Sequence, residues 1–132
     1  MLDPKNELTF ATLAAPLSRA TNNAASDGFD LKGYVGAVAV RVLLGVKTVG
    51  DNDGAITVTL QSAANNTAAE ATNLAVGNVA TTNNTAASGT LSVDTRVASR
   101  YLFARIVLAG TNSPAYPVAA EVVGRKQVQP AA

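Results

Sequence analysis

The sequence contains no histidine, no cysteine and no tryptophan. Without cysteine, disulfides and thiolate metal sites are excluded, and the redox compartment leaves no mark. Without histidine, a Ser–His or Cys–His nucleophile pair is excluded. Charge is sparse: 10 Lys and Arg against 9 Asp and Glu leave a net charge of +1. The cations stand singly, not in a stripe that could follow a phosphate backbone, so no nucleic-acid partner is expected. Long apolar runs are also missing. No stretch approaches the ~18 residues of a membrane span, so no membrane partner is expected either. The most apolar segment, Val35 to Leu44, is interrupted by Arg41. The opening Met1 to Glu7 carries both signs of charge and no basic-then-apolar pattern, so no signal peptide is expected, and synthesis in the cytoplasm is.

Fragments of chemical motifs occur, each incomplete. Gly33-Tyr34-Val35-Gly36 lacks both the length and the Lys-Ser/Thr end of a phosphate loop. Asp51-Asn52-Asp53-Gly54 begins like a calcium loop, but the next Glu is Glu70, far outside that spacing. An Asp-Gly turn is the expected reading. Ser62 or Ser99 with a distant Lys, or a pair of carboxylates, could be drawn as a catalytic set, but nothing singles one out. Asn65-Asn66-Thr67 and Asn83-Asn84-Thr85 match the glycosylation sequon, and without a secretion signal modification is not expected. No enzyme activity, cofactor, metal or small-molecule substrate is therefore expected.

What is present is a scaffold. The chain has 132 residues, 48% of them apolar and mostly Ala and Val. That length suits one domain, which buries roughly 65–70% of its unfolded surface. Short alternating runs are separated by small-residue turns. Val38, Val40, Val42 and Leu44 share one face of a strand, and Ala37, Ala39, Arg41 and Leu43 the other; both faces are mostly apolar, as in a central strand. Ile56, Val58 and Leu60 alternate with Thr57, Thr59 and Gln61, the clearest strand in the chain. Residues 62–89 repeat Asn-Asn-Thr-Ala-Ala at 65–69 and 83–87, read as exposed loops around a short strand near Leu74 to Val79. Thr90 to Asp94 is another short strand. Leu102, Ala104, Ile106 and Leu108 form one face of a strand over 100–109, with Tyr101, Phe103, Arg105 and Val107 opposite. Gly110 to Pro114 reads as a hairpin loop, Val118, Ala120 and Val122 as the inward face of the returning strand, and Gly124-Arg125-Lys126 as its close. In that hairpin Arg105 and Glu121 would pair, setting register. Ala39 and Ala104 are taken as tightly packed small positions.

Turns at this spacing predict an all-β, single-domain β-sandwich, jelly-roll-like, with an extended N-terminal arm. Residues 1–20 are the arm, 21–126 the sandwich (entered through a turn-rich connector, Asn22 to Gly28) and 127–132 a tail. Leu8, Phe10 and Leu13 give the arm a weak apolar pattern that Pro16 breaks, so a short strand or an extended tail is expected there and not a helix. Tyr101, Phe103 and Arg105 would share a strand face. Such a face could stack on bases, but packing against a second sheet, the arm or a neighbouring subunit is the expected use. These six residues are the candidate interface.

Ser99 to Pro114, which reads Ser-Arg-Tyr-Leu-Phe-Ala-Arg-Ile-Val-Leu-Ala-Gly-Thr-Asn-Ser-Pro, resembles a hairpin of the small capsid cement, or head-decoration, proteins of tailed bacteriophages. Met1-Leu2-Asp3 through Glu7-Leu8-Thr9 is similar to their opening, and Thr57-Val58-Thr59-Leu60-Gln61-Ser62 to their central strand. Residues 62–89 do not align. Those proteins often carry Arg two residues after the Tyr, where this chain has Phe103 and places Arg at 105. The resemblance implies a virion protein on the outer capsid surface that clamps neighbouring major capsid subunits, working as a homo-oligomer, a trimer or a dimer. Two rivals come from other classes. A phage tail or surface adhesin module binding carbohydrate or host surface would want exposed aromatic platforms, and a pilus or surface-layer subunit would want a secretion signal.

Overall fold

Alternating runs of β-branched residues build nine strands in the computed structural model, which describes residues 6–19, 24–47, 54–82, 85–110 and 114–127. They are β1 (Asn6–Arg19), β2 (Ala24–Ala25), β3 (Phe29–Asp30), β4 (Tyr34–Leu44), β5 (Ala55–Ala63), β6 (Thr72–Thr82), β7 (Ala87–Asp94), β8 (Tyr101–Ala109) and β9 (Tyr116–Gln127). A single 3-10 turn covers Ala68–Glu70. One sheet has the order β1-β9-β4-β7, and the other β2-β8-β5-β6, with β3 pairing farther along the same β8. Every pairing is antiparallel. Taking β2 and β3 as one interrupted strand gives two four-stranded sheets between which the chain passes back and forth. This is the jelly-roll arrangement the alternation predicts.

The inward faces are those the side-chain period sets. Val38, Val40 and Val42 of β4 meet Ile56, Val58 and Leu60 of β5, Leu102, Ala104 and Ile106 of β8, and Val118, Ala120 and Val122 of β9 in one core. Each large aliphatic side chain contributes about 1.5–3 kcal/mol by leaving water. Ala104 is fully buried, but Ala39 lies on the outer face and is only partly buried, so it is not the tightly packed position expected.

Six expectations are corrected by the pairing. Residues 6–19 of the expected arm form β1, an edge strand paired with β9 along its length. Two register shifts follow Thr12, each an extra residue on β1. Such bulges re-aim side chains, and here Leu13 and Ala14 are both buried. Within the connector, Ala24 and Ala25 are a strand, held on Ile106 and Arg105. Gly124 does not end β9; it pairs with Thr9, and Lys126 with Glu7 and Tyr34. A Cβ on Gly124 would lie 2.5 Å from Val38 Cγ1, so glycine is what lets β9 pass here. The Thr9 hydroxyl donates to Tyr34 OH at 3.0 Å, binding this end of the sheet.

The 110–114 segment is not a hairpin, because β8 and β9 belong to opposite sheets. The Arg105–Glu121 pair is therefore overturned: Glu121 stands opposite Arg41 and Thr12. Finally, β6 is longer than the Leu74–Val79 strand read from sequence. Leu74 and Val76 face inward on one parity, Val79 and Thr81 on the other. Gly77, at φ 87°, sits where the parity changes, and the register with β5 shifts there. Several sequence readings fall outside the described residues: Met1-Leu2-Asp3, Asn22-Asn23, the Asp51-Asn52-Asp53 turn, Asn83-Asn84, Thr111-Asn112-Ser113 and the tail from Val128 on.

Candidate interaction surface

The two sheets present outer faces of different character. On β8 the outward residues are Tyr101, Phe103, Arg105 and Val107, as the alternation predicts; the chain covers Phe103 and partly covers Tyr101 and Arg105, while Val107 stays exposed. Phe103 is 2% exposed. The 26–28 segment lies over its ring: a Cβ on Gly28 would come within 3.1 Å of Phe103 and would overlap the Asn66 side chain. Ser26 holds that segment down. Its amide donates to the Ala104 carbonyl at 2.9 Å, and its hydroxyl accepts the Ala104 amide at 2.9 Å. A side-chain oxygen thus takes a carbonyl's place in the ladder.

Arg105 holds the other cover. Its Nε donates to Gln61 Oε1 at 2.9 Å and its Nη2 to the Ala68 carbonyl at 3.0 Å, while Gln61 Nε2 donates to Asn73 Oδ1 at 2.7 Å. The guanidinium fork fixes the Asn-rich loop over the sheet. Tyr101 is half-buried, with the Arg100 guanidinium 5.1 Å from its ring centre. Arg100 in turn grips Asp30 with two hydrogen bonds, 3.0 and 2.9 Å. That hydrogen-bonded guanidinium, helped by the Lys32 amide, lowers the Asp30 pKa from 3.8 to about 2. Ser62 accepts the Ser99 amide at 3.1 Å, so its hydroxyl ties a turn.

The outer face of β1, β9 and β4 is left open. Leu8 is 58% exposed, Phe10 65% and Leu43 47%. Phe10, Thr12, Arg41, Leu43, Ala119 and Glu121 line a hollow of about 350 Å³ there. Of the six candidate interface residues, then, Leu8 and Phe10 share this face, and Leu13 lies beneath it in the core. Tyr101, Phe103 and Arg105 lie on the opposite sheet, Phe103 covered and Arg105 engaged with its own loop. The structure does not bring the two groups together. Arg41, Leu43 and Glu121, which complete the open face, were not singled out as surface residues. The outward parity of Arg41 and Leu43 is visible in sequence, but the pairing of β4 with β9 that brings Glu121 beside them is not.

No protein-family model matches the chain, and no curated protein matches it in sequence. Solved structures do share the fold. One is from work on Bacillus endospore appendages that form disulfide-linked pili, at 14% identity and TM-score 0.53, covering 98% of this chain and 96% of that one. Another is the SPBc2 prophage-derived protein YomS, at 14% identity and TM-score 0.51, covering 94% and 99%. A third is the VP2 subviral particle of infectious bursal disease virus, at 10% identity and TM-score 0.55, where 94% of this chain spans 33% of that one. At these identities the likeness is one of fold.

Proposed function

We propose that the protein is a structural virion component without catalytic activity. In this reading it binds the outer surface of an expanded phage capsid and bridges neighbouring major capsid subunits as a homo-oligomer. The observation that carries the reading is the open apolar face of β1, β9 and β4, a surface suited to joining copies into the bridging oligomer. On the other sheet Phe103 is buried beneath the 26–28 segment and Arg105 is engaged by the Asn-rich loop, whereas this face keeps Leu8, Phe10 and Leu43 exposed, which makes it the candidate for assembly between copies. Exposed patches of this kind mark interaction sites in soluble proteins. A prophage protein and a viral capsid protein among the fold neighbours, and the sequence likeness to cement proteins, support the same direction. A disulfide-linked pilus is chemically closed to a chain with no cysteine. The adhesin reading wants aromatic platforms, and Phe10 is the one aromatic side chain among the described residues in the exposed class.

Quantitative mass spectrometry of purified virions tests the proposal. A fixed, high ratio of this chain to the major capsid protein is expected. A few copies per particle would point to a tail part instead, and absence would end the virion reading.

A further inference from the structure

Cross-strand register arranges the open face in rows. Arg41 of β4 stands opposite Glu121 of β9, which stands opposite Thr12 of β1. The next row toward one end is Leu43 and Ala119, and toward the other Ala39, Val123 and Phe10. Opposite charges in such a position usually join. Here the ion pairs among the described residues are Arg96–Asp94 and Arg100–Asp30, and none links Arg41 to Glu121. The face therefore offers a cation and an anion side by side, next to the row of the exposed Leu43 and Ala119, and all four line the hollow.

We propose that this face packs against the same face of a second copy, about a two-fold axis running parallel to the strands between β4 and β9. Rotation about that axis sets the partner subunit's Glu121 over Arg41 and the partner subunit's Arg41 over Glu121. One operation matches both charges, as an isologous interface requires. It also carries the partner subunit's Leu43 over Ala119, so the exposed leucine of each β4 meets the hollow of the other copy. An axis running across the strands through the charged row would instead bring Arg41 against Arg41. The charges thus select the axis, and the complementarity of the face is with itself. Sheets packed face to face lie about 10 Å apart, within the combined reach of Arg and Glu side chains.

The inference deepens the assembly reading above by naming the occupant of its open face, and it is tested on the purified full chain with no capsid present. Sedimentation equilibrium is expected to show a dimer. Arg41→Glu should weaken it by about 100-fold or more, because like charges then meet across the axis. The double variant Arg41→Glu/Glu121→Arg should restore it, since the swap keeps every cross-axis pair opposite in sign. Circular dichroism melts show whether the single variant still folds, and the rescue reads the interface even if it is weakened. A monomer, a trimer, or a dimer indifferent to Arg41→Glu would overturn the proposal. A monomer found on virions at high copy number would leave a virion role standing but remove both the homo-oligomer and this interface. A dimer absent from virions would do the reverse.

Discussion

The Arg105 guanidinium meets a side-chain amide oxygen and a backbone carbonyl at once, and through them holds the Asn-rich loop over the sheet. A lysine ammonium in its place is a point donor and cannot span both acceptors in the same plane. Arg105→Ala is expected to cost about 1–2 kcal/mol, in the lower part of the range for charged hydrogen bonds because the site is only half-buried. Hydrogen exchange at the Glu70 and Ala71 amides should quicken, and Arg105→Lys should restore little of either. Unchanged exchange in Arg105→Ala would show that the loop holds without it. Asp30 gives a second prediction. Its pKa is lowered to about 2 by Arg100, so the pair stabilises the fold above the unfolded value near 3.8 and loses that effect as pH falls through about 2. Both side chains are nearly half exposed, so its worth is at most ~1 kcal/mol. Thermal melts of the wild type and Asp30→Asn should differ at pH 5 and converge toward pH 2. A gap that stays constant over that range would assign the difference to something other than the ion pair.

At the scale of elements, β1 behaves as part of the sandwich. Asn6 through Thr12 pair one-to-one with Gln127 through Glu121. Cross-strand pairs contribute on the order of 0.2–1 kcal/mol each, so deleting residues 2–12 is expected to cost about 2–4 kcal/mol, read as a lower midpoint in urea. An unchanged midpoint would mean that the segment is peripheral after all. Loss of capsid occupancy on this deletion would therefore report folding as much as contact. The same distinction explains what could be read from sequence. The strands β5 and β8 were legible because their alternation is unbroken over Ile56 to Gln61 and Tyr101 to Leu108. Only part of β6 was legible, because the change of parity at Gly77 erases the period. The short β2 is not legible because two alanines carry no period, and β1 reads only as a short strand or an extended tail because its bulges turn Ala14 inward against the alternation. The membership of strands in sheets was not legible at all: residues 110–114 suit a hairpin and a crossing between sheets equally well. The Arg105–Glu121 pairing failed on that point, and the candidate interface divided between two faces for the same reason.

The two sheets differ in that the β8 side is partly covered by the protein's own loops while the β1–β9–β4 side keeps Leu8, Phe10 and Leu43 exposed, and this difference bears on how a cement protein would hold a capsid. Were each chain to bind alone, its affinity would be that of a single contact. A pair joined through the β1–β9–β4 face presents two outward surfaces on a rigid body, so the second capsid contact becomes intramolecular. Linkage of that kind raises apparent affinity by roughly 100-fold or more when both sites can be reached together, and by nothing when they cannot. The open face then serves cohesion between copies, and the capsid contact falls to surfaces outside it. This separates two quantities that a single mutation would otherwise confuse. Arg41→Glu, which breaks the pair without touching a capsid-facing surface, should reduce retention on expanded capsids by about 100-fold at low protein concentration, with the difference shrinking as single contacts saturate. The charge-swapped Arg41→Glu/Glu121→Arg chain should be retained like the wild type. Retention measured by cosedimentation across a dilution series checks this. If the single variant and the wild type wash off alike at every dilution, the two copies do not engage the capsid together, and the open face has another use on the particle.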